Sequence, residues 1–203
     1  MQYRMRDNMK HNLSKINDVI TGRRTIYPEQ FSETEIDKDI IINLLKNATY
    51  APSHGMTQPW RFKVFRKEGR QTLASFLGDF YKTHIPKDKF LDAKYKNLTT
   101  RPLLSSAVIA VGMKRDPNER IEEIEEVEAV ACAIQNMHLT ATACGIGAFW
   151  ATPKIIYIPS INPFFDLGEK DKLLGLFFIG YPKIEPQEGK RKPFGEFTHW
   201  QED

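Results

Sequence analysis

The chain has 203 residues, of which 41% are hydrophobic and 27% are charged, so it can bury one sizeable core or a core together with a dimer face. Its 29 lysines and arginines nearly balance its 26 acidic residues, and a net charge of +3 alone does not favour a nucleic-acid or membrane partner. We expect one globular unit that binds neither. The basic first residues lack an apolar leader segment, which favours a cytoplasmic protein.

The first half of the chain alternates helical and extended patterns. The pattern LSKINDVITGRR (13–24) predicts a short helix that stops at Gly22, with Arg23 and Arg24 following it. A second, amphipathic helix is predicted to open at Ser32, with Glu35 in capping-box spacing. The alternation in WRFKVFR (60–66) predicts a half-buried strand, and a helix is predicted over 68–81.

Residues 84–102 are polar and lack periodicity. We interpret them as a solvated insertion, with a lid that carries His84, Tyr95 and Arg101 as the alternative.

In the second half, SSAVIAVGM predicts a buried strand, and a long helix is predicted over 118–145, acidic in its first part and apolar in its second. Cys132 and Cys144 lie on this helix about 18 Å apart, which is too far for a disulfide, so we interpret them as reduced core thiols. Two more strands, IGAFWA and KLLGLFFIGY, precede an extended basic tail. Strands separated by helices, with few βαβ repeats, predict an α+β fold.

Several common site motifs are absent from the sequence. The GIG at 145–147 follows a helix and precedes a strand, which is the reverse of the order in a dinucleotide-binding unit. The chain has no Walker A, HExxH, CxxC or GxSxG motif, and its five histidines show no metal-ligand spacing. We expect no metal site and no hydrolase triad.

Two basic segments are candidates for anion binding. Arg23, Arg24 and Thr25 follow a helix end, where arginines either complement the helix dipole or grip a phosphate with their guanidinium groups. Arg191 lies in the basic run EGKRKPF, which is typical of a solvated surface, although the following proline and phenylalanine suit a tail anchored on a partner.

The loop APSHGMTQPW (51–60) carries more hydrogen-bonding side chains than a connection requires. One interpretation is a rigid helix-to-strand link in which Ser53 and Thr57 satisfy backbone groups. The other is a wall that grips a planar heterocycle, with His54 and Gln58 bonding its edge and Pro52 and Trp60 stiffening the loop.

The ordered set of Arg-Arg-Thr, PSxxxxQPW, GIGAFWATP, IGYPK and a basic tail resembles the nitroreductase family of FMN-dependent oxidoreductases, over roughly residues 15 to 200. The resemblance implies a nitroreductase-like α+β fold with a central, mostly antiparallel sheet flanked by helices, in an intertwined homodimer. Residues 1–14 would be an N-terminal extension, and residues 15–203 a single domain whose C-terminal arm lies on the partner subunit.

The resemblance also implies the cofactor contacts. The Arg-Arg-Thr motif would bind the flavin phosphate and ribityl chain, and the basic tail would also contact the phosphate. The loop 51–60 would wrap the flavin of the partner subunit. The segment after the long helix would lie near the reactive edge of the flavin ring. Met56 stands where many members have asparagine. The matching residues are Arg23, Arg24, Thr25, Pro52, Ser53, His54, Met56, Gln58, Trp150, Ala151, Thr152, Arg191 and Lys192.

The implied activity is ping-pong transfer of hydride from NADH or NADPH through flavin N5 to nitroaromatic, quinone or similar small acceptors. Arg24 and His54 are candidates to stabilise charge at the N1/O2 edge of the flavin, and no side-chain acid or base is required. Two alternatives stay open: a flavin-modifying or dehalogenating enzyme on the same fold, and a non-enzymatic anion-binding module that uses Arg23, Arg24 and 190–192.

Overall fold

The computed structural model describes residues 11–202. A four-stranded sheet forms the centre of the fold, and helices cover both of its faces. The strands are β1 (Trp60–Arg66), β2 (Ala107–Met113), β3 (Gly147–Ala151) and β4 (Lys172–Gly180). The helices are α1 (Leu13–Gly22), α2 (Lys38–Ala48), α3 (Glu68–His84), α4 (Asp92–Leu104) and α5 (Glu123–Ala143).

The sheet has the strand order β1-β2-β4-β3, and each neighbouring pair is antiparallel. Strand β2 is buried along its whole length, as its uninterrupted apolar sequence predicts. Strand β3 is short and lies at the edge of the sheet. The predicted α+β fold with a mostly antiparallel sheet is confirmed.

Alternate residues of the central strands point to opposite faces of the sheet and build two hydrophobic clusters. One face, which includes Ile109 and Phe177, packs against α2 and α5. The other face, which includes Val108 and Phe178, packs against α3 and the turns between 154 and 165. Because β3 and the ends of α1 and α5 lie at one sheet edge, residues from distant parts of the chain meet there.

The predicted start of the second helix is wrong: α2 begins at Lys38, not near Ser32. The backbone N–H of Ser32 donates to the carbonyl of Tyr181 at 2.7 Å, and that of Ile36 donates to Ser106 Oγ at 2.6 Å. Residues 31–36 are thus an extended segment attached to the end of β4. The capping-box spacing indicates only bonds between residues near in sequence. Here the backbone of this segment bonds to distant residues instead, so no helix starts at Ser32.

Residues 84–102 are solvated over about half of their length, as interpreted, but most of the segment forms helix α4, which packs on α3. Leu98 is buried, and a Cβ added at Gly78 of α3 would lie 2.7 Å from Thr99 Cγ2, so the two helices are in close contact. Of the side chains proposed for a lid, Arg101 pairs with Glu29 at 2.8 Å. His84 stacks on the neighbouring Phe80 ring with their centroids 3.9 Å apart.

Both cysteines are exposed in the chain, Cys132 on α5 and Cys144 at its C-terminal cap, so their interpretation as core thiols is wrong. The tail carries exposed aromatic rings at Phe194, Phe197 and Trp200. Within residues 11–202, no helix is long and apolar enough to cross a membrane. Most of the predicted extension 1–14 lies outside the described residues, and α1 already begins at Leu13.

Candidate functional site

Three arginines converge at the C-terminal end of α1. Arg23 and Arg24 follow directly after Gly22, and the tail returns to bring Arg191 near them. Burial lowers the pKa of Arg23, and the charges of Arg191 and Arg24 lower it further. None of the three guanidinium groups forms an ion pair with a carboxylate of residues 11–202. Such an uncompensated cationic cluster favours an anionic ligand.

Arg24 holds the tail against this cluster. Its Nε donates to the carbonyl of Gln187 at 2.9 Å, and its Nη1 donates to the carbonyl of Thr21 at 2.6 Å. A Cβ added at Gly189 would collide with the Arg24 guanidinium, so glycine permits this close approach. A cleft of about 690 Å³ lies between the end of α1 and the tail. Lys192, in contrast, pairs with Glu196 within the tail at 3.1 Å.

Thr25 joins the arginine cluster to the edge of the sheet. It forms a parallel bridge to Ala148 of β3, and the backbone N–H of Ile26 donates to the carbonyl of Ala148 at 3.1 Å. Trp150 follows two residues later on β3, 39% exposed, with its indole Nε1 donating to the carbonyl of Leu174 at 3.1 Å. The structure thus brings the predicted segments 23–25, 150–152 and Arg191 to one edge.

His138 of α5 is a residue of this site that the sequence interpretation missed. Its Nδ1 lies 3.2 Å from Arg23 Nη1 and must accept, because a guanidinium only donates. Its Nε2 therefore carries the hydrogen and is buried without a partner among residues 11–202. Burial and the Arg23 charge lower the pKa of His138 to about 4, so the ring is neutral at pH 7. The sequence did contain an indication of its importance, because His138 is the only histidine or charged residue between Glu128 and Lys154.

The loop 51–60 has an uncommon backbone. Gly55, Met56 and Gln58 all have positive φ, at 56°, 54° and 45°, values that residues other than glycine adopt uncommonly. Its turn at 54–56 leaves Met56 75% exposed. The predicted residues Pro52, His54, Met56 and Gln58 are all exposed, and Ser53 is half-buried.

His54 attaches this loop to the beginning of α5, because its Nδ1 bonds to the Glu125 carboxylate. Glu125 and His138 are thirteen residues apart on α5, which corresponds to about 20 Å along the helix axis. Within one chain, the predicted loop and the predicted arginine cluster therefore lie at opposite ends of α5. The structure does not bring these two groups of predicted residues together in a single chain.

The comparison with family models decides the classification, because the model of the nitroreductase family matches residues 20–181. The chain belongs to the nitroreductase family. Among proteins similar to this nitroreductase is YfhC of Bacillus subtilis (strain 168), provisionally named an NAD(P)H nitroreductase. It is 30% identical over 184 residues, which cover 90% of this chain and 92% of YfhC.

Solved structures agree with this classification. A nitroreductase-like family protein from Bacillus cereus is 27% identical, with a TM-score of 0.79 over 97% of this nitroreductase and 99% of that chain. A structure from Desulfovibrio desulfuricans, determined in complex with FMN, is 22% identical, with a TM-score of 0.69 over 92% and 96% of the two chains. The latter likeness shows a shared fold.

We expect His138 to make the free energy of unfolding of this protein depend on pH. Its pKa is about 4 in the folded chain and about 6.5 when unfolded, so the unfolded state binds more protons between these values. Above about pH 6.5 the ring is neutral in both states, and His138 does not lower the free energy of unfolding. As the pH falls from about 6.5 to about 4, protonation of the unfolded state lowers the free energy of unfolding by about 3 kcal/mol. Urea unfolding at several pH values measures it. We expect His138→Leu to flatten this dependence, whereas exposed His199→Gln keeps it; equal slopes in the two variants would contradict the prediction.

Proposed function

We propose that the protein is an FMN-dependent oxidoreductase that takes hydride from NADH or NADPH and reduces small aromatic or quinone-like acceptors in a ping-pong scheme. The observation that carries this proposal is the cluster of Arg23, Arg24 and Arg191, which has no carboxylate partner among residues 11–202. A phosphate monoester supplies the charge that this cluster lacks. Membership of the nitroreductase family supports FMN as the bearer of that phosphate.

The donor set at the sheet edge fits FMN. Arg23 and Arg191 would hold the phosphate, with Thr25 supplying a hydroxyl, and Arg24 would fix the tail that carries Arg191. The backbone of 150–152 would lie along the ring system. When bound, FMN supplies hydride transfer through its N5 atom. The chain contributes binding, orientation and positive charge, and no side-chain acid or base is assigned.

We further propose that the site is completed in a homodimer. The loop with Ser53, His54 and Gln58 lies about 20 Å along α5 from the arginine cluster, so a second copy running antiparallel would place its loop over the first copy's cluster. Exposed apolar side chains of α1, such as Ile16 and Ile20, and the tail aromatics supply surface for such an interface. The polar loop would then bond the edge of a bound heterocycle, and the tail would lie on the partner subunit.

The alternatives receive less support. A non-enzymatic anion-binding module does not account for membership of an oxidoreductase family. A flavin-modifying or dehalogenating activity on the same fold stays a prediction. The segment considered for its lid forms α4, which packs on α3 and lines one cleft together with residues 150–152.

The visible absorbance spectrum of the purified protein tests the proposal. We expect a yellow protein that releases about one FMN per chain on denaturation, identified by chromatography, and whose visible band is bleached by NADH or NADPH under anaerobic conditions. An added nitroaromatic or quinone should restore the band. A colourless protein that takes up no FMN on titration would overturn the proposal, and a yellow protein that neither pyridine nucleotide bleaches would overturn the choice of donor.

A further inference from the structure

A second cleft, of about 630 Å³, borders the candidate cofactor segment 150–152. Its walls come from α3, from α4 with the turn before it, and from β3 with the residues that follow. This volume lies within the range of sites that bind small organic molecules. Trp150, Ala151 and Thr152 line it, so the cleft shares a wall with the segment assigned to the cofactor.

The floor of this cleft is aromatic. Phe149 of β3 and Phe178 of β4 stack with their ring centroids 5.9 Å apart and 24° between their planes, and Leu176 lies beside them. Tyr27 packs on Phe149 with their ring centroids 4.8 Å apart, and the guanidinium carbon of Arg101 lies 5.3 Å from the centre of the Phe149 ring, so both neighbours fix the orientation of that ring. Such a floor favours an occupant with a flat apolar body.

The rim of the cleft is cationic. Lys89, Lys94, Arg101 and Lys154 line it, and the described residues that line it include no aspartate or glutamate. Arg101 is already neutralised by Glu29 at 2.8 Å. The three lysines form no ion pair with a carboxylate of residues 11–202. The positive charge left at the rim is therefore theirs, and it complements an anionic group on the occupant.

We propose that this cleft binds aromatic carboxylates, with the ring against the apolar wall at Phe149 and the carboxylate among Lys89, Lys94 and Lys154, and that those members of the class that carry a reducible nitro or quinone group are acceptors of the enzyme. The assignment as acceptors rests on the proposed function, because the shared wall at 150–152 places the occupant beside the redox cofactor. For a nitroaromatic carboxylate, the first two-electron step consumes one NAD(P)H and one proton, and the nitro group becomes nitroso with release of NAD(P)⁺ and water.

Calorimetric titration of the protein as purified tests the binding itself. The probes are 1-naphthoate and its uncharged analogue 1-naphthamide. We expect the carboxylate to bind about tenfold more tightly, as several partly exposed ion pairs together supply. In the variant Lys89→Gln/Lys94→Gln/Lys154→Gln the two compounds should bind equally. The exposed Lys38→Gln on α2 should keep the preference and serves as the matched control.

Each other outcome overturns the inference. Equal binding of the two probes to the unaltered protein, binding of neither, or a preference that survives in the triple variant would do so. A third probe, 2′,5′-ADP, distinguishes another source of negative charge: if the triple variant loses this compound and keeps the naphthoate preference, the lysines serve the phosphate of the hydride donor. Because these titrations need no turnover, a yellow, NAD(P)H-oxidising protein without the preference contradicts this inference alone. A colourless protein with the preference contradicts the proposed function, and with it the role of these compounds as acceptors, but leaves the binding of aromatic carboxylates standing.

Discussion

Replacing Glu126 by alanine is expected to destabilise the fold by about 3 kcal/mol or more, because it removes one partner of a buried ion pair. The Glu126 side chain is fully buried in the first turns of α5. One carboxylate oxygen accepts from Arg115 Nη1, and the other accepts from the backbone N–H of Asp116 at 3.0 Å. The carboxylate in turn raises the pKa of Arg115. Its loss leaves Arg115 Nη1 and the backbone N–H of Asp116 without acceptors, while Arg115 Nη2 keeps its bond to the carbonyl of Ile121.

Urea or thermal unfolding measures this effect, and Glu128→Ala provides a matched control. Glu128 lies two residues further on the same helix but is exposed, so its removal should change the free energy of unfolding by less than about 0.5 kcal/mol. The double variant Glu126→Met/Arg115→Met should recover part of the lost stability, since no unpaired charge then remains. Equal effects of Glu126→Ala and Glu128→Ala would show that the pair does not stabilise the fold.

Replacing Arg23 or Arg191 by alanine is expected to raise the Kd for FMN about 10- to 100-fold, because each loses a charged hydrogen bond to the phosphate. Fluorescence titration of protein freed of cofactor measures the Kd. Riboflavin, which lacks the phosphate, supplies the matched ligand control, and its affinity should stay nearly unchanged. Lys38→Ala, which removes an exposed cation on α2, should affect neither ligand.

Two results would contradict this assignment. Full FMN affinity in both arginine variants would show that the phosphate lies elsewhere. Equal losses for FMN and riboflavin would show that the arginines support the ring pocket or the fold rather than the phosphate. Circular dichroism and melting curves of each variant then distinguish a damaged fold from a damaged ring pocket.

The sequence predicts the elements whose evidence is local. The uninterrupted apolar run of β2, the alternation of β1 and the long pattern of α5 each correspond to an observed element. Three of the four groups of predicted cofactor residues also meet at one sheet edge, through the Thr25 bridge to Ala148 and the contacts of Arg24 with the tail. Arg23, Arg24, Thr25 and Arg191 are candidates from their charge and position in the sequence, whereas residues 150–152 and Lys192 are identified by resemblance to a family.

The features that the sequence could not indicate are those in which a residue contacts a partner far away in the chain. Ser32 has the spacing of a helix cap, but its backbone pairs with the end of β4. Glu125 and Glu126 stand side by side in an acidic run that is typical of a solvated face. One of them bonds His54 and the other is buried with Arg115. In the sequence His138 is typical of a histidine on an apolar helix face, and only the structure shows its contact with Arg23.

The position of the two predicted groups at opposite ends of α5 has a consequence for assembly. In the proposed dimer each chain carries the phosphate half of one site and the ring-edge half of the other. Occupancy of the cofactor and association of the chains are then a single coupled equilibrium. Dilution to free monomers removes the loop from every site at once, and bound cofactor in turn opposes dissociation. In the proposed dimer, the protein concentration therefore determines what fraction of the chains holds a complete cofactor site.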